Sequence, residues 1–237
     1  ALGVDHVSVR RPPRIAVIAT GNELVPAGQP LGFGQIHESN AVMLAALACE
    51  SGAQVVVHRC VRDDPEALRA ALLDAAADAD VIVTSGGVSA GEADYLPGVL
   101  RGVGEIHFHK VRLKPGMPTL FGQIGASLYF GLPGNPVAAA VTFRVFARFA
   151  LRIMQSVNAV PKMLRARLTA PLHKRHARAE FARCSLHVDD TGVQRVSVHA
   201  KQGSGMLRGL AETDALALLP EGEKDYQRGD VVTLWPE

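Results

Sequence analysis

The chain has 237 residues, of which 48% are hydrophobic and 20% are charged, and its formal net charge is +2. This composition is ordinary for a soluble globular protein of one or two domains. So small a charge gives no reason to expect nucleic acid or a membrane surface as a partner. Three widely separated cysteines without metal-ligand spacing argue against a disulfide framework and predict reduced thiols in a cytoplasmic protein.

Short apolar runs alternate with helical patterns over the first part of the chain. Ser39 can cap a helix that continues to about Glu50, and Asp64 can cap a second helix that begins at Pro65. This alternation predicts an α/β domain over residues 1–155, with a mostly parallel sheet flanked by helices. Strands are predicted at Arg14–Ala19, Val55–Val57, Val81–Thr84, Ile106–Val111 and Leu128–Phe130, and a last helix with arginine at every fourth position follows Asn135 and Pro136.

The pattern changes after about Gln155, where short alternating runs replace the helical ones. Asp189–Gly192 has the composition of a hairpin turn between two such runs. Residues 156–237 are therefore predicted to form a small all-β C-terminal domain. Its strands are predicted at Leu164–Leu168, Phe181–Val188, Val193–Val198, Ala215–Leu219 and Val231–Trp235.

Three glycine-bearing loops follow three of the predicted strands of the α/β domain. They are Thr20–Leu24, Ser85–Asp94 and Gly131–Pro136, and the last runs into a helix. Ligands of open α/β sheets bind at the carboxyl ends of the strands, where glycine loops and helix N-termini offer backbone N–H groups to oxyanions. Each loop alone could be an ordinary tight turn, but three at one edge of a sheet favour a phosphate or other oxyanion. Their spacing matches neither the Walker loop nor the dinucleotide fingerprint.

Two acidic residues in these loops are candidate metal ligands. Glu23 and Asp94 each end a glycine-bearing loop, and carboxylates beside a phosphate site commonly hold Mg²⁺. The alternative for each is a helix cap or an acid in the first helical turn. Lys114 lies in a loop stiffened by Pro115 and Pro118, which is a rigid position for contacting an anion, although an exposed lysine is more often only solvated.

These segments together resemble the molybdopterin molybdenumtransferase (molybdenum insertase) family, which includes the E domain of gephyrin. The resemblance rests on Thr20–Leu24, Ser85–Asp94, Lys114–Pro118 and Gly131–Pro136, and it continues in the β domain through Arg178–Arg183 and Gln202–Leu207. It implies a molybdopterin-binding fold. It also implies a Mg²⁺-dependent enzyme of molybdenum cofactor biosynthesis that inserts molybdate into adenylylated molybdopterin and releases AMP.

The resemblance implies roles for individual residues. Asp94 and Glu23 would serve the metal and the catalytic chemistry, and Lys114 and Pro115 would line a molybdate pocket together with Arg183 and Ser204 of the β domain. Asn22, Met117 and Glu212–Asp214 depart from the family pattern, and Met117 removes one positive charge. The remaining cofactor-binding residues implied are Thr20, Gly86, Gly87, Val88, Ser89, Gly91, Gly134, Asn135 and Pro136.

Two other functions remain open from the sequence. The sheet domain also resembles molybdopterin adenylyltransferases, which are the expected upstream partner of an insertase, and a gephyrin-like scaffold would bind a protein peptide instead. The family has a further N-terminal portion that this chain does not resemble, so we expect a homodimer for the full-length protein and an inactive monomer for this chain alone. The sequence leaves the choice between molybdenum and tungsten open.

Overall fold

In the computed structural model, residues 3–88, 95–159, 161–203 and 205–236 are described. The first part of the chain alternates strands with helices, as predicted. Its elements are β1 Arg14–Thr20, β2 Leu24–Val25, β3 Ile36–His37, α1 Asn40–Glu50, β4 Gln54–Val61, α2 Pro65–Asp78, β5 Val81–Ser85, α3 Leu96–Val103, β6 Glu105–His109, β7 Leu113–Lys114, β8 Leu120–Ile124, β9 Ser127–Leu132, α4 Pro136–Thr142, a π-helical segment Phe143–Ala147, and α5 Arg148–Met154.

The central sheet is mixed, whereas the sequence predicted a mostly parallel one. Six strands lie in the order β4-β1-β5-β9-β8-β6; the first four are parallel, and β8 and β6 pair antiparallel. The cause is local. Gly125, with φ 57°, and Ala126 connect β8 to β9 directly, and so short a connection forms a hairpin that can only be antiparallel.

Helices cover both faces of this sheet. Leu44 of α1 and Phe143 pack on one face, while Leu72 of α2 and Leu100 of α3 pack on the other. Asp64 Oδ1 accepts a hydrogen bond from Ala67 N at 2.8 Å, which confirms the predicted cap of α2. At the start of α1, by contrast, Glu38 accepts from Ala41 N at 2.6 Å, and Ser39 makes no side-chain cap bond.

The second part of the chain forms a small, mostly β domain that contains the five predicted strands. Five strands form a ring in the order β13-β10-β16-β14-β12, which closes because β12 also pairs with β13. The elements are β10 Leu164–Leu168, β11 Leu172–Lys174, β12 Ala179–Val188, β13 Gln194–Val198, α6 Arg208–Ala211, β14 Ala215–Leu219, β15 Lys224–Tyr226 and β16 Val231–Pro236.

The two domains share a strand pairing and a hydrophobic cluster. Strand β7 pairs in parallel with β12, so that Lys114 lies opposite Glu180. Leu113 packs beside Val137 and Val141 of α4 and against Phe181 and Leu216 of the β domain. This contact forms an interdomain cleft beside the loop that follows β9. None of the helices in the described ranges is both long enough and apolar enough to cross a membrane.

Candidate functional site

The three glycine-bearing loops begin at one edge of the sheet, because β1, β5 and β9 are parallel neighbours. Asn40, at the start of α1, ties two of them together. Its Nδ2 donates to Ser85 Oγ at 2.8 Å and to Gly134 O at 2.6 Å. Gly86 N donates to Leu132 O at 3.1 Å, which adds a backbone link between the same two loops.

Gly86 occupies a position that no other residue could take without strain. Its φ is 100°, and a Cβ there would lie 2.5 Å from Thr20 O. Gly134 lies in ordinary van der Waals contact with this position, since a Cβ on it would lie 3.6 Å from Gly86 Cα. The loops therefore form one compact surface of backbone groups.

This surface borders a cavity of about 610 Å³, here called the glycine-loop cavity. In the part of the chain that the structure describes, Thr20 Oγ1 and Asn40 Oδ1 are buried and lack a hydrogen-bond partner, so each could bind a ligand. An oxyanion fits the backbone N–H groups of a glycine loop and a hydroxyl donor. Of the residues implied by the family resemblance, the cavity is lined by Thr20, Glu23, Gly86, Gly87, Val88, Gly134, Asn135 and Pro136.

Carboxylates also border the glycine-loop cavity. They are Glu23, Glu38 and Asp63. Burial raises the pKa of the nearby Cys60 thiol, and the negative charges of these three carboxylates raise it further. The described residues nevertheless contain no group of three His, Cys, Asp or Glu side chains that could hold a metal ion. A magnesium site here would depend on Asp94, which lies outside the described residues.

A second cavity of about 530 Å³ lies between the two domains and is here called the interdomain cavity. Its lining includes Lys110, Lys114 and Arg178 as cations and Glu180 as an acid. Three cations against one carboxylate leave an excess of two positive charges, with histidine neutral. That charge is complementary to a small dianion.

Lys114 is held at the wall of the interdomain cavity by Glu180. Its Nζ lies 3.0 Å from Glu180 Oε1, and His176 Nε2 lies 2.9 Å from Glu180 Oε2. The Glu180 side chain is only 9% exposed, whereas that of Lys114 is 37% exposed. The carboxylate is thus used within the protein, while the ammonium group has donors left for a ligand.

The two cavities share a wall. Gly134 and Asn135 line both of them. The loop after β13 also reaches both, since Gln202 and Gly203 line the interdomain cavity and Gly205 lines the glycine-loop cavity. A ligand in one cavity would therefore lie beside a ligand in the other.

Arg183 is implied by the resemblance to line a molybdate pocket, and that role stays a prediction. It does not line the interdomain cavity; it is 1% exposed, and its guanidinium is bonded to backbone carbonyls. The arginine at the cavity is Arg178, which stands in the sequence only as part of the Arg178–Arg183 motif. Lys110, Glu180 and Asn40 were also missed, because only the folded chain brings them to the cavities.

Four other predicted site residues cannot be located in the same way. Ser89, Gly91, Asp94 and Ser204 lie outside the described residues, and their roles remain predictions. Lys114 and Pro115, in contrast, line the interdomain cavity, and their assignment to a molybdate pocket stays a prediction.

Comparison with known proteins decides the family. A family model described as "Probable molybdopterin binding domain" matches residues 16–153, and one described as "MoeA C-terminal region (domain IV)" matches residues 165–236. The chain belongs to the molybdopterin molybdenumtransferase family. The resemblance seen in the sequence motifs is thereby confirmed.

Individual members of the molybdenumtransferase family are similar over nearly the whole chain. The molybdopterin molybdenumtransferase of Nostoc sp. is 39% identical over 236 residues, which is 97% of this chain and 54% of that protein. Molybdopterin molybdenumtransferase 2 of Mycobacterium tuberculosis is 38% identical over 246 residues, 99% of this chain and 59% of that protein. The chain thus spans little more than half the length of these relatives.

The fold agrees with the sequence comparison. A crystal structure of a molybdopterin biosynthesis MoeA protein from Pyrococcus horikoshii superposes with a TM-score of 0.81 at 30% identity, covering 94% of this chain and 54% of that chain. The match includes both the mixed α/β domain and the C-terminal β domain.

Proposed function

We propose that this chain provides the molybdopterin and molybdate sites of an enzyme that inserts molybdate into adenylylated molybdopterin, with release of AMP. The names of its relatives support the transferase activity. The C-terminal β domain, which forms one side of the interdomain cavity, favours insertion over the adenylyl transfer that the sheet domain alone would also allow.

The charge of the interdomain cavity is the strongest support for a molybdate site. Molybdate is a compact dianion without protons near neutral pH, and it matches an excess of two positive charges. Lys110, Lys114 and Arg178 supply donors without a competing acceptor on their own side chains. Ammonium and guanidinium groups form the stronger, charge-assisted kind of hydrogen bond with such oxygens.

The glycine-loop cavity is the proposed site of the pterin phosphates. Gly86 and Gly87 have positive φ angles, and Thr20 Oγ1 lies beside them, which suits contacts with phosphate oxygens. Because Gly134 and Asn135 line both cavities, the two substrates would be held side by side. Holding two reactants next to each other accelerates transfer by removing most of the entropy cost of their encounter.

Magnesium would be held by Asp94 and Glu23, as the resemblance implies. When bound it would neutralise charge on the adenylyl phosphate. Glu23 is the described member of this pair, and since the described carboxylates do not form a complete ligand set, no step of the reaction is derived through the metal. A molybdopterin adenylyltransferase is the class of enzyme that would supply the substrate, and we propose a homodimer for the full-length protein.

Titration calorimetry of this chain with sodium molybdate, and in parallel with tungstate, tests the oxyanion site. Lys114→Met and Arg178→Leu should each weaken molybdate binding roughly ten- to hundredfold, since a lost charged hydrogen bond costs about 1.5–3 kcal/mol. Lys162→Met removes an exposed lysine that lines neither cavity and is the matched control.

The molybdate dissociation constants of these variants are compared with that of the unmodified chain. The absence of saturable binding to the unmodified chain would overturn the proposed site. Equal effects of Lys114→Met and Lys162→Met would show that general charge, and not this cavity, attracts the anion.

A further inference from the structure

A histidine, a carboxylate and a lysine form a chain of polar contacts at one wall of the interdomain cavity. Lys114 Nζ lies 3.0 Å from Glu180 Oε1, and His176 Nε2 lies 2.9 Å from Glu180 Oε2. The two oxygens of one carboxylate therefore have different partners. Lys114 and Glu180 line the interdomain cavity but His176 does not, so His176 would act on an anion there through Glu180.

The position of His176 is fixed by the turn between β11 and β12. Lys174 Nζ donates to His176 O at 2.6 Å, and the pairing of β7 with β12 places Lys114 opposite Glu180. The side chains of His176 and Glu180 are 21% and 9% exposed. Charges this far from solvent are screened less by salt than those of an exposed ion pair.

Two features of the structure act in opposite directions on the charge of His176. Histidine is the side chain that ordinarily changes charge between pH 5 and 8, and the Glu180 carboxylate favours the charged ring. Nδ1, however, is buried and has no hydrogen-bond partner in the part of the chain that the structure describes. A second N–H on the charged ring would therefore be buried without an acceptor, which is costly. A further negative charge nearby would tip this balance toward the charged ring.

The other charged groups around this turn do not supply that negative charge. The interdomain cavity has Lys110 and Arg178 as further cations, and Lys174 lies opposite Lys224 of β15. The nearby carboxylates other than Glu180 have cationic partners of their own, which are Arg112 for Glu221, and His173 and Arg175 for Asp225. An anion that enters the cavity is the remaining source.

A bound dianion and a charged His176 should therefore favour each other. Molybdate would bring two negative charges into the cavity, next to the contact between Lys114 and Glu180. The charged ring would compensate Glu180, so that the Lys114 ammonium could turn more of its donors toward the anion. Because linkage is reciprocal, the factor by which molybdate favours protonation is also the factor by which protonation favours molybdate.

We propose that His176 is a positioning residue that couples molybdate binding to the uptake of a proton: through Glu180 it controls how far the Lys114 ammonium is available to the anion. This inference rests on the proposed function. Since a proton is taken up with the dianion, molybdate affinity falls as the pH rises through the range in which histidine loses its charge.

Titration calorimetry with sodium molybdate at pH 6, 7 and 8 tests the coupling. Repeating the titration at pH 7 in buffers of different ionisation enthalpy gives the number of protons taken up. The dissociation constant of the unmodified chain should rise about three- to tenfold from pH 6 to pH 8, the size expected for repulsion by one uncompensated carboxylate. Between zero and one proton should be taken up.

His176→Gln keeps a donor for Glu180 but cannot be protonated. Its dissociation constant should change by less than about twofold across this pH range and stay near the value of the unmodified chain at pH 8, and the proton uptake should disappear. Glu180→Gln should also remove the pH dependence, and it decides the question if His176→Gln does not fold.

His173→Gln is the matched control. His173 Nδ1 lies 2.7 Å from Asp225 Oδ1, so this variant also removes a histidine paired with a carboxylate, but neither residue lines a cavity. It should keep the affinity, the pH dependence and the proton uptake of the unmodified chain. The same loss in His173→Gln and His176→Gln would overturn the inference, because the effect would then follow from general charge.

The inference and the function on which it rests can fail separately. If the unmodified chain binds molybdate and Lys114→Met weakens binding, but His176→Gln takes up protons like the unmodified chain, the inference fails and the function stands. An affinity of the unmodified chain that does not change between pH 6 and pH 8 has the same meaning. A chain that binds no molybdate at any of these pH values refutes the proposed function first.

Discussion

Glu180 is the one carboxylate among the described residues that line the interdomain cavity. It holds Lys114, but it also repels a dianion. Glutamine would keep an oxygen for Lys114 and remove the charge. A unit charge about 6 Å from a dianion repels it by roughly 1.4 kcal/mol in water, and salt screening reduces this to about 0.7 kcal/mol. Glu180→Gln should therefore lower the molybdate dissociation constant about three- to tenfold in titration calorimetry.

The opposite result would be equally informative. Weaker binding by Glu180→Gln would mean that the ion pair, by fixing the Lys114 ammonium at the cavity wall, contributes more than the repulsion costs. Glu221→Gln, which removes a carboxylate that lines neither cavity and pairs with Arg112, is the control for overall charge.

Asp189 allows a prediction about pH at the turn between β12 and β13. Thr191 Oγ1 and Arg195 Nε each donate to its carboxylate at 2.6 Å, and Val193 N donates at 3.0 Å. These bonds, that of the Thr191 hydroxyl first, hold the pKa of Asp189 well below its usual range. A carboxyl whose pKa is lowered by folding stabilises the protein above its unfolded pKa of about 3.9, and this contribution is lost as the pH falls through the folded value.

Asp189→Asn should therefore reduce the free energy of unfolding at pH 7, and the difference from the unmodified chain should shrink once the pH falls below about 4. Urea unfolding at a series of pH values measures this. Asp190→Asn is the adjacent control, because Asp190 makes none of these three bonds. A difference that stays constant down to pH 3 would contradict the assignment.

The sequence predicted correctly those residues whose hydrogen-bond partners lie a few positions away in the chain. The Asp189–Gly192 turn and the cap at Asp64 were predicted because turns and caps involve residues within a few positions of each other. Arg178 and Arg183 could not be told apart in this way. Arg183 is buried by the loop at Lys201, about twenty residues away in the sequence. No local sequence pattern shows which of the two arginines this loop contacts.

At the scale of elements, β5 and β9 are joined by a buried side-chain hydrogen bond. Thr84 Oγ1 and Tyr129 Oη are 2.7 Å apart, both residues are fully buried, and burial raises the pKa of the tyrosine. Tyr129→Phe would leave the Thr84 hydroxyl without a partner in the core. We expect it to lower the free energy of unfolding by about 1–3 kcal/mol.

A double-mutant cycle tests the origin of that loss. Thr84→Val with Tyr129→Phe replaces both partners by apolar groups, and it should be more stable than Tyr129→Phe alone if the unsatisfied hydroxyl is the cause. Additive losses in urea unfolding would show that the two groups act independently.

The sequence predicted the positions of the strands better than it predicted which strands pair with each other. β5 was recognised because it is a short apolar run, but its pairing with β9 links residues 45 positions apart. β8 was missed because Gly122 and Gln123 interrupt its apolar residues, although Leu120, Gly122 and Ile124 are buried in the structure. Without β8 the hairpin at Gly125 could not be inferred, and the sheet was therefore expected to be mostly parallel.

At the scale of the whole molecule, the functional site depends on the junction between the domains. The interdomain cavity uses Lys114 and Asn135 from one domain and Arg178 and Gln202 from the other. The sequence shows the motifs that contain these residues, but it does not show that the motifs of the two domains lie side by side. That proximity depends on the pairing of β7 with β12, which joins segments far apart in the chain. A change that loosens the junction should therefore affect binding and cooperativity together.

Leu113 is the position at which to test that coupling. It is buried on β7 in the cluster shared by the two domains, and Leu→Ala in a core costs about 2–5 kcal/mol. Trp235, the only tryptophan of the chain, lies in β16 and packs in the same shared cluster, so its fluorescence reports on the β domain where it meets the junction, whereas most of the helices belong to the α/β domain. Fluorescence and far-ultraviolet circular dichroism therefore follow different domains during unfolding.

In the unmodified chain we expect the two signals to change at the same urea concentration, because the shared cluster couples the domains. Leu113→Ala should separate the transitions and weaken molybdate binding. Leu72→Ala removes a comparable fully buried side chain from the core between α2 and the sheet, away from the junction. Leu72→Ala should shift the unfolding transition of the α/β domain and leave the junction intact. If both variants separate the two transitions to a similar extent, the junction does not couple the domains. Each domain would then maintain its own side of the interdomain cavity.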